Sequence, residues 1–485
     1  MLFNSISYLA FLLCCVALYW ILPGTARKWL VLGASLVFYG LWHVEFVLLI
    51  VFSAFVDYYF SLKITDTQNS RHRKTFLVCS LAINLGLLVY FKYTYFILDN
   101  IAVIGEVAGH DWRLNVGNII LPLGISFYTF LSISYTLDVY RRTFNPIRSF
   151  PIYLAYVTFW PHMIAGPILR AHELIPQLTG SQRFSAADIC AGLKLILLGL
   201  FLKVGLADQI SPWVNEAFDA NASQLGGLDV WTMAYAFGFQ IYFDFAGYSL
   251  IAIGSARLLG IVFPENFNWP YLATSPREFW KRWHITLSAW IRDYLYLPLS
   301  GKAFHDRSGG GIDIQETGRR SAIQLTVALF VAWFLMGLWH GASWSFALWG
   351  LWHATLIFGY RLLSNGSASR PSRWNALLGW SVTQPLVMLG WIPFRAGSLD
   401  KSLELLGKIF DVSSYSGLGF RENFYLITFV VFVGMLVLGL LAQHARQRIV
   451  RPWLGYALEV GALSALIFIV FIFLRPLDQF IYFQF

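Results

Sequence analysis

Apolar runs of roughly 20 residues recur from one end of this chain to the other, each long enough to cross a bilayer as a helix. Candidate spans fall at about 5–22, 29–43, 45–62, 75–98, 119–139, 187–207, 230–260, 321–339, 343–362, 377–394, 424–443 and 455–474. Lipid leaves no water to satisfy backbone groups, so only helices and closed barrels span it. The alternating ten-residue segments of a barrel are missing here. The pattern predicts an all-α polytopic membrane protein with about 11–12 transmembrane helices plus re-entrant and interfacial amphipathic segments. Composition agrees: 57% of the 485 residues are hydrophobic and 13% charged, against about a quarter charged in soluble domains.

The net charge of +9 is a topology signal. Lys and Arg gather in short loops, at Arg27-Lys28, Arg71 to Lys74, Arg141-Arg142, Arg319-Arg320 and Arg446 to Arg451, as cytoplasmic loops do. With those loops inside, all twelve spans thread with consistent alternation and both termini face outward. Loops 99–118 and 208–229, which hold Asp99, Asp111, Asp208, Glu216, Asp219 and Asp229, then also lie outside. A nucleic-acid partner is not indicated. The run Leu9–Leu22 lacks a basic leader and a small-residue cleavage site, and reads as a retained helix. Cys14, Cys15, Cys79 and Cys190 have no CxxC spacing, so neither a disulfide framework nor a zinc site is expected.

Two regions resist the count of spans. Residues 151–170 are apolar but punctuated by Pro151, Pro161, Gly166 and Pro167, which predicts a re-entrant or broken segment. Residues 264–320 are too charged to cross a membrane and should lie on the cytoplasmic side. Within them Ser275, Pro276 and Glu278 form a helix-start signature. Phe279, Trp280, Trp283, Leu287, Trp290 and Ile291 then recur at helical spacing, with Arg277, Lys281 and His284 on a second face. No repeat or long linker divides the chain, so a single membrane domain over 1–485 is expected, its motif-bearing core at 119–362.

The chain lacks a P-loop, a GxSxG elbow and HExxH. Its candidates for chemistry are polar groups in apolar surroundings. His340 sits within VAWFLMGLWHGASWSFALWGLWHA, followed by Gly341 and flanked by Trp339 and Trp344. A protonatable group there is costly unless it is used or satisfied, which makes His340 the leading candidate for a general base. His353, thirteen residues later, would lie about 20 Å away on one continuous helix and on a different face; it reads as a supporting or structural residue. His284 is either a catalytic group or a wet-face residue of the amphipathic helix. Asp244 is an intramembrane acid that either supports chemistry or fixes a helix by pairing with Arg257 or with another helix.

Five segments, in order, closely resemble the membrane-bound O-acyltransferase family: LPLGISFYTFLSISYTLDVYR (121–141), FWPHMIAGPI (159–168), QIYFDFAGYSLIAIGSARLLGI (240–261), PREFWKRWHITLSAWIRDYLYLPL (276–299) and MGLWHGASWSFALWGLWHA (336–354). MLFNS at the start and FIYFQF at the end are similar to the bacterial branch, whose alginate O-acetyltransferase membrane subunits the chain resembles most. The resemblance implies a bundle of transmembrane and re-entrant helices around a tunnel. It matches His340 to the family's near-invariant histidine and His284 to its second motif histidine. One departure is His162, where relatives are expected to carry Gln or Thr; no role is assigned to it.

The resemblance also implies an acyltransferase in a bacterial inner membrane, with the acyl donor inside, the acceptor outside and a periplasmic SGNH-type partner. The expected reaction moves acetyl from cytoplasmic acetyl-CoA towards an exported polysaccharide, alginate first. Arg277, Lys281 and Arg282 would meet the donor's phosphates, and no metal is required. Polysaccharide-export components and membrane lipid are the other expected partners. Cellulose, peptidoglycan or D-alanylated teichoic acid are alternative acceptor systems, which labelled-donor assays would separate. A transporter or flippase is the non-enzymatic alternative, and it predicts paired broken helices in repeated halves that the sequence does not show.

Overall fold

Long apolar stretches carrying good N-cap residues dictate most of the secondary structure of the computed structural model. It describes the backbone of residues 2–114, 116–307, 311–316, 321–364, 372–445, 452–474 and 481, and their side chains except at 302–316 and 443–458. The helices begin with α1 (Ile6–Ile21), α2 (Gly24–Gly40), α3 (Glu45–Asp66), α4 (Ser70–Leu88), α5 (Thr94–Val107), α6 (Ile125–Arg141), α7 (Phe150–Thr158) and α8 (Ala171–Thr179). There follow α9 (Ala186–Leu200), α10 (Asp208–Asp219), α11 (Gly227–Leu258), α12 (Pro276–Trp280), α13 (Ile285–Ile291) and the single turn α14 (Leu297–Leu299). A β-hairpin, β1 (Lys302–Arg307) with β2 (Gly311–Glu316), comes next. The chain ends with α15 (Ala322–His340), α16 (Trp344–Leu363), α17 (Arg373–Leu389), α18 (Trp391–Arg395), α19 (Leu399–Lys408), α20 (Glu422–Ala445) and α21 (Pro452–Phe473).

Side-chain caps start many of these helices. Ser5, Asn69, Ser275, Ser321, Ser372 and Ser398 each accept a backbone N–H from the first turn, a bond worth about 1 kcal/mol. Wider π-helical turns at 89–93, 201–207 and 292–296 interrupt the α-helical runs.

The hairpin apart, the regular secondary structure of the described residues is helical, and the protein is a multi-pass membrane protein. A helix stands at each of the twelve expected spans. Seven helical runs among the described residues are both long and apolar enough to cross a bilayer. Others, such as α2 and α6 at 17 residues each, are shorter. The basic clusters Arg319-Arg320 and Arg446 to Arg451 lie outside the described residues, as does most of the terminal FIYFQF.

Two compact units divide the chain: Met1–Leu193 with Ala252–Pro264 and Leu297–Arg319, and Lys194–Ile251 with Glu265–Tyr296 and Arg320–Phe485. In the first, the α3–α4 pair packs on α6, and α7 packs on α2 and α3. The expected broken segment lies here. α7 stops at Thr158, residues 159–170 turn without regular helix, and that stretch is buried up to Leu169. His162 is fully buried there, its Nε2 3.1 Å from the Tyr156 carbonyl. In the second unit α15 and α16 form a tight hairpin, and α16 packs on α12, α18 and α19.

Candidate active site

Close approach of two helices builds the surroundings of His340. A Cβ on Gly337 would lie 2.3 Å from the Phe346 carbonyl oxygen, and one on Gly350 would lie 2.2 Å from that of Trp333. Only glycine lets α15 and α16 meet at this distance, as small residues do at membrane helix crossings. At the turn, Gly341 is covered by the Phe346 ring, whose Cε2 would be 2.0 Å from an added Cβ.

His340 is the last residue of α15 and is 4% exposed. Its ring packs between Trp339, Trp349 and Phe394, at centroid distances of 4.9, 4.9 and 5.3 Å. Trp344, four residues further along the sequence, is exposed.

The chain reverses after Gly341, so the separation expected for His353 on one continuous helix does not arise. His353 packs on the same indole, 5.0 Å from Trp349. It also touches Trp280 at 4.9 Å, Trp333 at 5.9 Å and Phe279 at 6.2 Å. It is fully buried, and neither ring nitrogen has a hydrogen-bond partner among the described residues.

The amphipathic helix expected over 276–291 is broken. α12 ends at Trp280, and His284 takes a left-handed conformation, φ 39° and ψ 56°, before α13 starts. Such a conformation is uncommon for a side-chain-bearing residue and persists where neighbours enforce it. Here Asn266 enforces it. Its backbone carbonyl accepts from Ile285 N at 2.9 Å. Its Oδ1 accepts from Thr286 N at 3.3 Å and Thr286 Oγ1 at 2.9 Å, and lies 3.1 Å from His284 Nδ1. Its Nδ2 donates to Ser249 at 3.0 Å.

Because Thr286 N can only donate, the Asn266 oxygen is identified, and Nδ1 must carry the imidazole proton. Nε2 therefore holds the lone pair of the neutral ring. Burial lowers the His284 pKa from 6.5 to about 3, which keeps that ring neutral. His284 consequently leaves the face it was expected to share with Arg277 and Lys281: it is fully buried and they are exposed.

Arg282 is committed within the protein, with Nε and Nη2 both on Glu278 Oε1 at 2.9 and 2.7 Å. Burial opposes the Glu278 charge, but hydrogen bonds from Thr274 and Arg282 outweigh it and hold the carboxyl below its ordinary pKa. Ser275 caps α12 as expected, while the Glu278 side chain reaches Thr274 N and Oγ1, each at 2.8 Å.

One aromatic series joins the two candidate histidines. Phe267 touches His284 at 6.2 Å and Trp283 at 5.1 Å; Trp283 touches Trp391 at 4.8 Å. Trp391 touches Phe394 at 5.4 Å, and Phe394 meets His340.

Asp244 belongs to a different cluster. Its Oδ1 accepts from Lys203 Nζ at 2.6 Å, and its Oδ2 from Ile481 N at 2.9 Å. Lys203 also pairs with Asp208 at 2.8 Å. Of the two pairings open for Asp244, with Arg257 or with another helix, the second holds, and Arg257 pairs with Asp188 at 2.7 Å. Asp208 was expected in an exterior loop, yet its carboxylate is nearly enclosed in this pair. Asp229, expected in the same loop, is also buried and accepts from Gly226 N and Gly419 N.

Sequence reasoning passed over Trp349, Phe394, Asn266 and Lys203. Lys203 alone had a local signal, a cation inside the run LFLKVGLAD.

Comparison with known proteins gives the family. The model of the MBOAT, membrane-bound O-acyltransferase, family matches residues 128–311, a segment that contains His284. A probable alginate O-acetylase of Azotobacter vinelandii is 36% identical over 422 residues, 86% of this chain and 79% of that protein. The peptidoglycan O-acetyltransferase of Helicobacter pylori is 34% identical over 410 residues, 79% of this chain and 73% of the relative. The teichoic acid D-alanyltransferase of Bacillus subtilis is 28% identical over 285 residues, 57% of this chain and 69% of the relative. The chain belongs to the membrane-bound O-acyltransferase family, and it is an O-acyltransferase.

Proposed function

We propose that the protein transfers an acetyl group from cytoplasmic acetyl-CoA towards an exported polysaccharide across a bacterial inner membrane. The observation that carries this reading is His340, an imidazole enclosed by Trp339, Trp349 and Phe394 at the end of a membrane helix. Such surroundings hold a base while keeping water from the thioester.

In the proposed step His340 takes the proton of the acceptor hydroxyl, whose oxygen attacks the acetyl carbonyl carbon. The C–S bond breaks, and the leaving CoA sulfur takes the proton back from the imidazolium. The acceptor hydroxyl belongs either to the sugar or to a serine of a periplasmic SGNH-type partner. His284, fixed by Asn266, lies on the donor's approach, with exposed Arg277 and Lys281 offered to the CoA phosphates. Arg282 contributes by holding Glu278 and α12 in place. No step needs a metal.

Alginate is the favoured acceptor because the Azotobacter relative, at 36% identity over 86% of this chain, carries that name. Peptidoglycan is the second reading, since the Helicobacter relative matches nearly as well. Inside-out vesicles given acetyl-labelled CoA test the donor and its side. Label appearing in luminal polysaccharide, or on a co-purified partner, supports the proposal. Transfer only when donor is supplied to the lumen contradicts it.

A further inference from the structure

Four helices of the first unit bring oxygen ligands to one buried point that acyl transfer does not use. Asp57 lies roughly 18 Å along α3 from its first residue, at the helical rise of about 1.5 Å per residue, and is fully buried. Its Oδ1 accepts from Ser80 Oγ at 2.6 Å and from Asn84 Nδ2 at 2.7 Å, both on α4. Asn84 is itself held by Ser53, whose hydroxyl donates to Asn84 Oδ1 at 2.7 Å.

The other oxygen, Oδ2, has no hydrogen bond in bonding geometry, although Ser132 of α6 borders the carboxylate. The hydroxyls of Ser132 and of Tyr153 on α7 make none in bonding geometry either. Both residues are fully buried, and Tyr153 interacts with both Asp57 and Ser132. Thr136 of α6 adds a hydroxyl 3.5 Å from Ser80.

A carboxylate in these surroundings needs a compensating charge. No Lys, Arg or His bonds to Asp57 among the described residues. Lys63, on the same helix, lies over the Tyr59 ring, and Arg73 of α4 donates to the Ile64 and Tyr140 carbonyls. The titratable groups that reach Asp57 are Tyr153 of α7 and Tyr135 of α6, while α4 presents Ser80 and Asn84. One carboxylate among hydroxyls balances one positive charge. No group of three His, Cys, Asp or Glu suited to a divalent metal occurs among the described residues.

We propose that Asp57, with the Ser132 and Tyr153 hydroxyls, forms an intramembrane site for a monovalent cation, sodium or a proton, held between α3, α4, α6 and α7. The test is thermal melting of the purified full-length protein in sodium, potassium or choline chloride at equal ionic strength, at acid and alkaline pH. A saturable, sodium-specific rise of several degrees, absent in Asp57→Asn and reduced in Ser132→Ala, identifies sodium. Indifference to sodium, with melting that falls as pH rises in the wild type and not in Asp57→Asn, identifies the proton. If Asp57→Asn does not fold, Ser132→Ala and Tyr153→Phe serve the same comparison, with radiolabelled sodium binding to the wild type as a direct readout. Melting that responds alike to sodium and to pH in the wild type and the variants, with no bound sodium, overturns the proposal.

Discussion

His340 and His353 pack against a single indole, that of Trp349, at centroid distances of 4.9 and 5.0 Å. The turn after Gly341 and the close crossing at Gly337 and Gly350 put them there. The enclosure of His340 is thus a property of the α15–α16 hairpin and not of one helix.

Opening that crossing should therefore disturb the chemistry. Gly350→Ala forces its new methyl against the Trp333 carbonyl. The expected cost is about 1–3 kcal/mol of stability, as for other overpacked sites, with a further fall in transfer rate in the folded fraction. Melting and turnover measured on one preparation check both.

Asn266 and His284 make a second test. Asn266→Ala removes the acceptor that fixes the Nδ1 proton and takes the same bond from Thr286. Loss of a buried acceptor costs about 1–3 kcal/mol. Turnover should fall by about 10–100-fold, the loss seen when the partner orienting a metal-bound imidazole is removed, with little change in the donor KM. A KM effect at unchanged kcat would show that His284 acts in donor binding alone.

His284 also predicts an acid limb in stability. Its ordinary pKa of 6.5 falls to about 3 on burial, so below 6.5 the unfolded chain binds a proton that the folded chain does not. Its contribution is constant above about pH 6.5 and is lost as pH falls towards 3. Glu278, held below its ordinary 4.5, adds stability above 4.5 that is lost as pH falls below it. In His284→Gln the melting temperature should be flatter between pH 6.5 and 4.5, where Glu278 has barely begun to titrate.

Lys203 is pinned between Asp208 and Asp244 in a nearly solvent-free site. Lys203→Met should destabilise the protein by about 3–5 kcal/mol, because two buried carboxylates lose their cation. Adding Asp244→Asn should recover part of that loss. Melting of the two variants in detergent measures the coupling.

Much of the helical framework was legible in the sequence, because each apolar run must close its own backbone hydrogen bonds in lipid. His340 was legible for the same reason, as a polar group that lipid would penalise. The break at Lys281 to His284 was not legible, since apolar residues keep helical spacing through it. What breaks the helix is Asn266, eighteen residues upstream of His284. The shared indole of His340 and His353 was hidden likewise, because it depends on a close approach between two helices. For Asp244 the sequence left open a pairing with Arg257 or with another helix; the second holds, and the partner on that helix, Lys203, could not be named because it stands forty-one residues earlier.

The central claim is that His340 is the base of acyl transfer, and His340→Ala in proteoliposomes tests it most directly. With membrane insertion and melting temperature retained, transfer from labelled acetyl-CoA should fall by about 100- to 10,000-fold, the usual contribution of a positioned general base. Transfer at the wild-type rate in that folded variant would contradict the account.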